Sequence, residues 1–259
     1  MISGGSFLSL FPSHSGWEML LLAISAFVAG LGRGFSGFGN ALIFMPLASA
    51  IVGPALAAPV LLIIDAVMAA GMLPNAWQLA DRREVWIMSA GALIGVPLGT
   101  FILASGDPLA LRWGIVLTVA ILLAVLTSGW RLGGKPAPGL TVGVGAVSGL
   151  FAGAAQIGGP PLIIYLLGRG IPGAVVRANI VLYFAISTVF SGVSYLAGGL
   201  FTQAVIALAF FAAPSYGIGL YLGSRLFGLA SEATFRRACY ALIFAAVIVG
   251  LPLFDSVTH

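Results

Sequence analysis

Apolar residues run along this chain in long blocks, and the interruptions between blocks are short. Ten hydrophobic segments stand out, at about residues 17–32, 38–52, 55–73, 85–104, 109–130, 139–154, 158–168, 174–198, 201–225 and 233–254. Blocks of this kind predict helices that cross or enter a membrane, at roughly 20 residues per crossing. The stretch from Arg131 to Pro138, RLGGKPAP, combines charge, paired glycines and two prolines and reads as a connector. It divides the chain into an N-terminal transmembrane repeat (1–130) and a C-terminal one (139–259), with 131–138 between them.

Segment length sorts the blocks. Trp86 to Ala104 and Trp113 to Trp130 carry no charge, and each suffices for one crossing. Ala178 to Ser224 also carries none and suffices for two, with Gly198-Gly199 as the turn. The first two segments hold only about 15 apolar residues each, or about 22 Å of helix, which falls short of a hydrocarbon core of about 30 Å. In the second half, 33 uncharged residues separate Lys135 from Arg169, too many for one crossing and too few for two. The expectation is an all-α membrane protein with broken, half-length or re-entrant helices at the interface of its two halves. Irregular backbone at that depth is tolerated only where protein or a watery cavity surrounds it.

The two halves also share a motif. Residues 30–46 read GLGRGFSGFGNALIFMP and residues 149–165 read GLFAGAAQIGGPPLIIY. A shift of 119 places Gly30, Leu31, Gly34 and Gly39 on Gly149, Leu150, Gly153 and Gly158. Further along, Gly95, Gly99 and Arg112 recur 124 residues later as Gly219, Gly223 and Arg236, so about five residues are inserted in the second half. Five segments per half is an odd number. The second half is therefore expected to sit upside down relative to the first, as in many secondary transporters whose broken helices form the substrate site.

Composition agrees with the segment pattern. Hydrophobic residues make up 60% of the chain and charged residues 7%, against about 25% charged in an ordinary soluble domain. A net charge of +4, thinly spread, offers no nucleic-acid surface. The single Cys239 excludes a disulfide within the chain. No Lys or Arg precedes Arg33, so the first segment lacks the basic start of a secretory signal and is read as retained.

If the N-terminus lies outside and all ten segments cross, the cytoplasmic loops carry Arg33, Arg82, Arg83, Arg131, Lys135, Arg169, Arg177, Arg225, Arg236 and Arg237. The outer loops then carry only Arg112. That bias obeys the positive-inside rule, which also places the C-terminus outside.

The glycine motifs supply the candidate chemistry. Helix N-termini present unpaired N–H groups and a partial positive charge, and glycine lets a ligand approach them closely. Two such ends make an anion site without a catalytic group. In the first motif Arg33, Gly34, Ser36, Gly37, Gly39 and Asn40 are the candidate binding residues; in the second they are Gln156, Gly158 and Gly159, with Pro160 opening the next helix. Asp65 lies ten residues into an apolar run, where a carboxylate is expensive and is either paired or functional. It can neutralise Arg33 or Arg177, or take up a proton during transport. Arg177 either snorkels to the interface or serves a cavity with Asn179 and Tyr183.

GRGFSGFGNALIFMPLAS followed by GLFAGAAQIGGPPLIIYLL resembles the paired signature of the TauE/SafE sulfite exporter family, over roughly residues 18–252. The resemblance implies a bacterial inner-membrane permease with a duplicated core that exports sulfite or small organosulfonates.

Other motifs carry bland readings. Gly32-x-Gly34-x-x-Gly37 matches a dinucleotide fingerprint but follows no strand. Gly34-Phe35-Ser36-Gly37 resembles the nucleophile segment of an intramembrane protease, yet the histidines stand only at positions 14 and 259, so no base serves the serine. No catalytic residue, cofactor or metal site is expected. Gly91-Gly95-Gly99 and Gly145-Gly149-Gly153 read as helix-packing ladders. The leading expectation is a secondary transporter of a small sulfur-containing anion, with protons as a candidate coupling partner. A small-anion channel or a carboxylate permease of similar build is the alternative, and a homodimer stays open.

Overall fold

The computed structural model describes residues 15–36, 39–129, 137–226 and 232–254, and all regular structure among them is helical. In chain order the elements are α1 (Gly16–Ser36), α2 (Asn40–Val52), α3 (Pro54–Ala69), α4 (Leu73–Leu79), α5 (Arg82–Ser105) and α6 (Pro108–Ser128) in the first half. The second half contains α7 (Pro138–Ala155), α8 (Gly159–Gly168), α9 (Gly173–Ala197), α10 (Gln203–Leu226) and α11 (Glu232–Gly250). Seven of the described helical spans are long and apolar enough to cross a membrane, with α3, a 3-10 turn and α4 forming one of them. Most of the connector at 131–138 lies outside the described residues.

Local rules set most boundaries. Pro54, Pro108 and Pro138 open α3, α6 and α7, where a missing N–H costs nothing. Asp81 and Asp107 cap α5 and α6 by accepting from the amides of Glu84 and Ala110. The expected turn at Gly198-Gly199 is present, with Gly199 at φ +67°.

The helix breaks lie where the glycine motifs predict, but the lengths differ from expectation. α1 has 21 residues and α7 has 18, so both first segments reach membrane-spanning length. The shortness is confined to α2, with 13 residues, and α8, with 10. α1 is longer than the apolar count suggests because Arg33 does not end it: the guanidinium is buried and paired inside the protein. A second difference is α4. The third segment loosens into a 3-10 turn at Ala70–Met72 and resumes as α4, whose Trp77 ring lies under the Arg82 guanidinium at 5.6 Å.

Two glycine seams dominate the packing. On α5, a Cβ at Gly91, Gly95 or Gly99 would overlap the carbonyl oxygens of Val142, Ala146 and Leu150 on α7. The ladder at Gly145, Gly149 and Gly153 faces back, against Met88, Ala92 and Val96. α1 and α10 repeat the arrangement. Gly30 and Gly34 abut Tyr216 and Leu220, while Gly219 and Gly223 abut Phe27 and Leu31. In lipid, helices gain little from hydrophobicity, and close backbone contact through small residues substitutes for it. The outward surface stays apolar, as at Phe101, Phe210 and Leu196, which suits a hydrocarbon solvent.

Four tyrosines, 165, 183, 195 and 216, are among the largest fully buried side chains, and each hydroxyl has a partner. A buried phenol without one would cost a hydrogen bond in a medium that offers no water.

The seams yield a stability test. Gly95→Ala and Gly219→Ala, one in each seam, are each expected to lower stability in detergent by about 1–3 kcal/mol through overpacking. Gly143→Ala on α7 meets nothing within 4 Å and is expected to be neutral, or to gain up to about 1 kcal/mol from helix propensity. Thermal unfolding of the purified variants separates the cases, and a Gly95→Ala protein as stable as Gly143→Ala would show that the seam has slack.

Candidate functional site

Arg33 sits in the last turn of α1 and is 2% exposed. A guanidinium so placed needs a counter-charge, and Asp65 in α3 provides it: Nη2 of Arg33 lies 3.0 Å from Oδ2 of Asp65. The other carboxylate oxygen accepts from the Tyr216 hydroxyl of α10 at 2.5 Å. The oxygen of Tyr216 accepts in turn from Nδ2 of Asn40, the first residue of α2, at 3.1 Å. From α9, the Phe184 ring lies under the Arg33 guanidinium at 5.4 Å. Five helices thus converge on one ion pair.

The second break faces this cluster. Gln156 follows α7 in a left-handed conformation, φ +58°. Its Nε2 donates to the Ala152 carbonyl at 3.0 Å and to the Tyr195 hydroxyl at 3.1 Å, and Tyr195 donates onward to the Gly153 carbonyl. α8 then begins at Gly159. Its approach is pinned by Ser148, whose hydroxyl donates to the Gly158 carbonyl at 2.5 Å.

Between the two breaks lies a cavity of about 30 Å³, lined by Arg33, Asn40, Leu61, Asp65, Gln156, Phe184 and Thr188. That is about the share of one water in the liquid. It holds a cation, a carboxylate and two side-chain amides, with Leu61, Phe184 and Thr188 completing the walls. Phe184 stands 119 residues after Asp65, the same offset as the glycine motif, and both line the cavity.

Four of the sequence-predicted residues, Arg33, Asn40, Asp65 and Gln156, therefore meet at one cavity. The others do not line it. Gly34 lies in the α1–α10 seam. Gly39 turns the chain into α2 at φ +98°, and Gly158 and Gly159 open α8. Ser36 closes α1, and Gly37 lies outside the described residues. Asn179 accepts from the Asp81 amide at 2.8 Å, and Tyr183 donates to the Gly145 carbonyl at 2.9 Å. Both therefore brace α9, against α5 and α7. Arg177 lines a different cavity, between α4 and α9.

Sequence reasoning passed over Phe184, Thr188, Tyr195 and Tyr216. The usable signal was a tyrosine deep in an uncharged helix, which must find a partner for its hydroxyl. It also treated Arg169 as a loop charge. Arg169 instead pairs with Glu84, and the same carboxylate oxygen accepts from Tyr165, which bonds Thr141. This second buried pair ties the end of α8 to the start of α5.

Residues 22–250 match the model of the family described as sulfite exporter TauE/SafE. The chain is 27% identical over 238 residues to the probable sulfite/organosulfonate exporter TauE of Cupriavidus necator, covering 86% of this chain and 92% of the relative. No solved structure matches it. This multi-pass helical membrane protein, matched along nearly its whole length, belongs to the TauE/SafE sulfite exporter family.

Proposed function

We propose that the chain is a secondary transporter that exports a small sulfur-containing oxyanion, sulfite or an organosulfonate, across the bacterial inner membrane. One observation carries the reading: a buried Arg33, paired with a partly buried Asp65, at a small cavity where two interrupted helix pairs meet. Arg33 supplies the charge that binds the anion, and Asn40 and Gln156 supply neutral donors. The name of the Cupriavidus necator relative supports the substrate class.

The proposed architecture is an inverted repeat with both termini outside. The seams support it: the first helix of each half, α1 or α7, packs on the fourth segment of the other half, α10 or α5. A two-fold relation in the membrane plane requires such reciprocity. The excess of basic residues at one set of helix ends supports the orientation. A central cavity of only about 30 Å³ favours a transporter over an open channel, because it is far from a wide pore.

Coupling follows from the pair. An anion that approaches Arg33 competes with Asp65 for the same guanidinium. Protonation of Asp65 removes the competitor and keeps the site near neutrality, so proton movement and anion movement are linked at one residue.

Flux in proteoliposomes tests the reading. Sulfite or a small sulfonate is expected to move in a saturable manner and to respond to an imposed pH gradient. Non-saturable flux would select the channel, and preference for carboxylates would select the carboxylate permease.

Asp65→Asn is expected to abolish gradient-driven flux while anion exchange persists, because the bound anion then neutralises Arg33. The variant is expected to be less stable without substrate by about 3–5 kcal/mol, the cost of breaking a buried pair. Unimpaired pH-driven transport by Asp65→Asn would leave Asp65 a structural partner only.

Gly39→Val and Gly158→Val are expected to abolish transport even where the protein reaches the membrane. The first would hold a branched side chain at φ +98°, and the second would bring a Cβ within 2.7 Å of the Ser148 carbonyl. Wild-type flux in both would remove the two breaks from the site.

A further inference from the structure

A second cavity, about 560 Å³, lies between α4 and the first turns of α9. Asn75, Ala76, Arg177 and Val181 are among the residues that line it. It stacks on the central cavity along the same two elements. Along α3 and α4, Leu61 and Asp65 face the central cavity, and Met72 and Ala76 face the larger one, at steps of four, seven and four residues. Along α9, Arg177 and Val181 face the larger cavity, and Phe184 and Thr188 the central one, at steps of four, three and four. Those steps keep to one face of a helix. Numbers rise along one wall where they fall along the other, so the two walls run antiparallel past both spaces. From Arg177 to Phe184 the rise is about 10 Å.

We propose that the larger cavity is the vestibule of the transport path, where Arg177 captures the small oxyanion before it passes Phe184 to reach Arg33. The inference rests on the transporter reading given above and adds a second anion subsite to it. Size supports it: 560 Å³ falls in the range of about 300–1,000 Å³ typical of ligand pockets, whereas the central cavity does not. Charge supports it too. Among the described residues that line the vestibule, Arg177 is charged, Asn75 is a neutral donor, and none is acidic. A cleft of one sign within low-dielectric walls concentrates the opposite ion. Phe184 stands between the two spaces on the same face of α9, with its ring already under Arg33. It is placed to separate vestibule from central site. In the proposed orientation the vestibule opens on the cytoplasmic side, from which an exporter loads.

Site-directed thiol labelling tests this without requiring transport. The native Cys239 is buried and is replaced by serine. Ala174, exposed and part of the vestibule lining, becomes the reporter as Ala174→Cys. Membrane fragments open on both faces are treated with two methanethiosulfonates of similar size, one bearing a sulfonate and one a quaternary ammonium. Each rate is normalised to the rate with a small free thiol. The sulfonate reagent is expected to be favoured on the order of tenfold. The preference should fall towards unity with Arg177→Gln and persist with Arg177→Lys. Equal normalised rates before any change at Arg177, or a preference untouched by Arg177→Gln, would overturn the proposal. So would a reporter that reacts only after denaturation. Saturable anion flux without charge-selective labelling would remove the vestibule and leave the transporter standing. Charge-selective labelling without any anion flux would keep the subsite and remove the transporter.

Discussion

Backbone-to-backbone contact along two glycine seams is the constraint on which the rest of this structure depends. A bilayer gives helices little hydrophobic reason to associate, so tight van der Waals fit must hold the halves together. The α1–α10 seam does more than hold. Gly30 and Gly34 bring α1 against Tyr216 and Leu220, and Arg33 lies on the same stretch of α1. The seam thus sets the register between Arg33 and Tyr216, the two residues that grip opposite oxygens of Asp65. A shift of one helical step along the seam would separate them.

The Arg33–Asp65 pair is costly to bury and is held by further groups: the Tyr216 phenol on Asp65, the Asn40 carboxamide on that phenol, and the Phe184 ring under Arg33. A second ion pair, Glu84 with Arg169, has a similar retinue in Tyr165 and Thr141. Location separates the two. Glu84 is in the first turn of α5 and Arg169 at the end of α8, so that pair staples helix ends. Asp65 lies well inside α3 and lines a cavity.

Much of this was legible in the chain. The ten hydrophobic spans anticipate the helices within a few residues, because turn chemistry at Pro54, Pro108, Pro138 and Gly199 is local. The depth of Asp65 and the glycine motifs were legible for the same reason. The partners of the ladders were not. That Gly95 meets Ala146, or Gly219 meets Phe27, depends on contacts more than fifty residues apart in sequence. Arg33 misled through the same gap: a cation after an apolar run reads as a helix end until its carboxylate is found across the bundle. Tyr216 and Tyr195 look like ordinary core residues, and only the geometry shows what their hydroxyls hold. α4 escaped because the apolar pattern runs unbroken through the 3-10 turn before it.

The duplication leaves one asymmetry that matters for chemistry. The shift of 119 that aligns the motifs sends Arg33 to Ala152 and Asp65 to Phe184. The second half therefore carries the glycine motif without these two charges. Had it kept them, two guanidiniums and two carboxylates would crowd a space of about 30 Å³, each carrying a desolvation cost of several kcal/mol. Among the described residues that line the cavity, Arg33 and Asp65 are instead the charged ones. Phe184 supplies a π face to the guanidinium, and Gln156 brings a neutral donor. The proposed symmetry of the halves therefore cannot extend to the charges, and a cycle built on the proposed inverted repeat would turn on one guanidinium and one carboxylate.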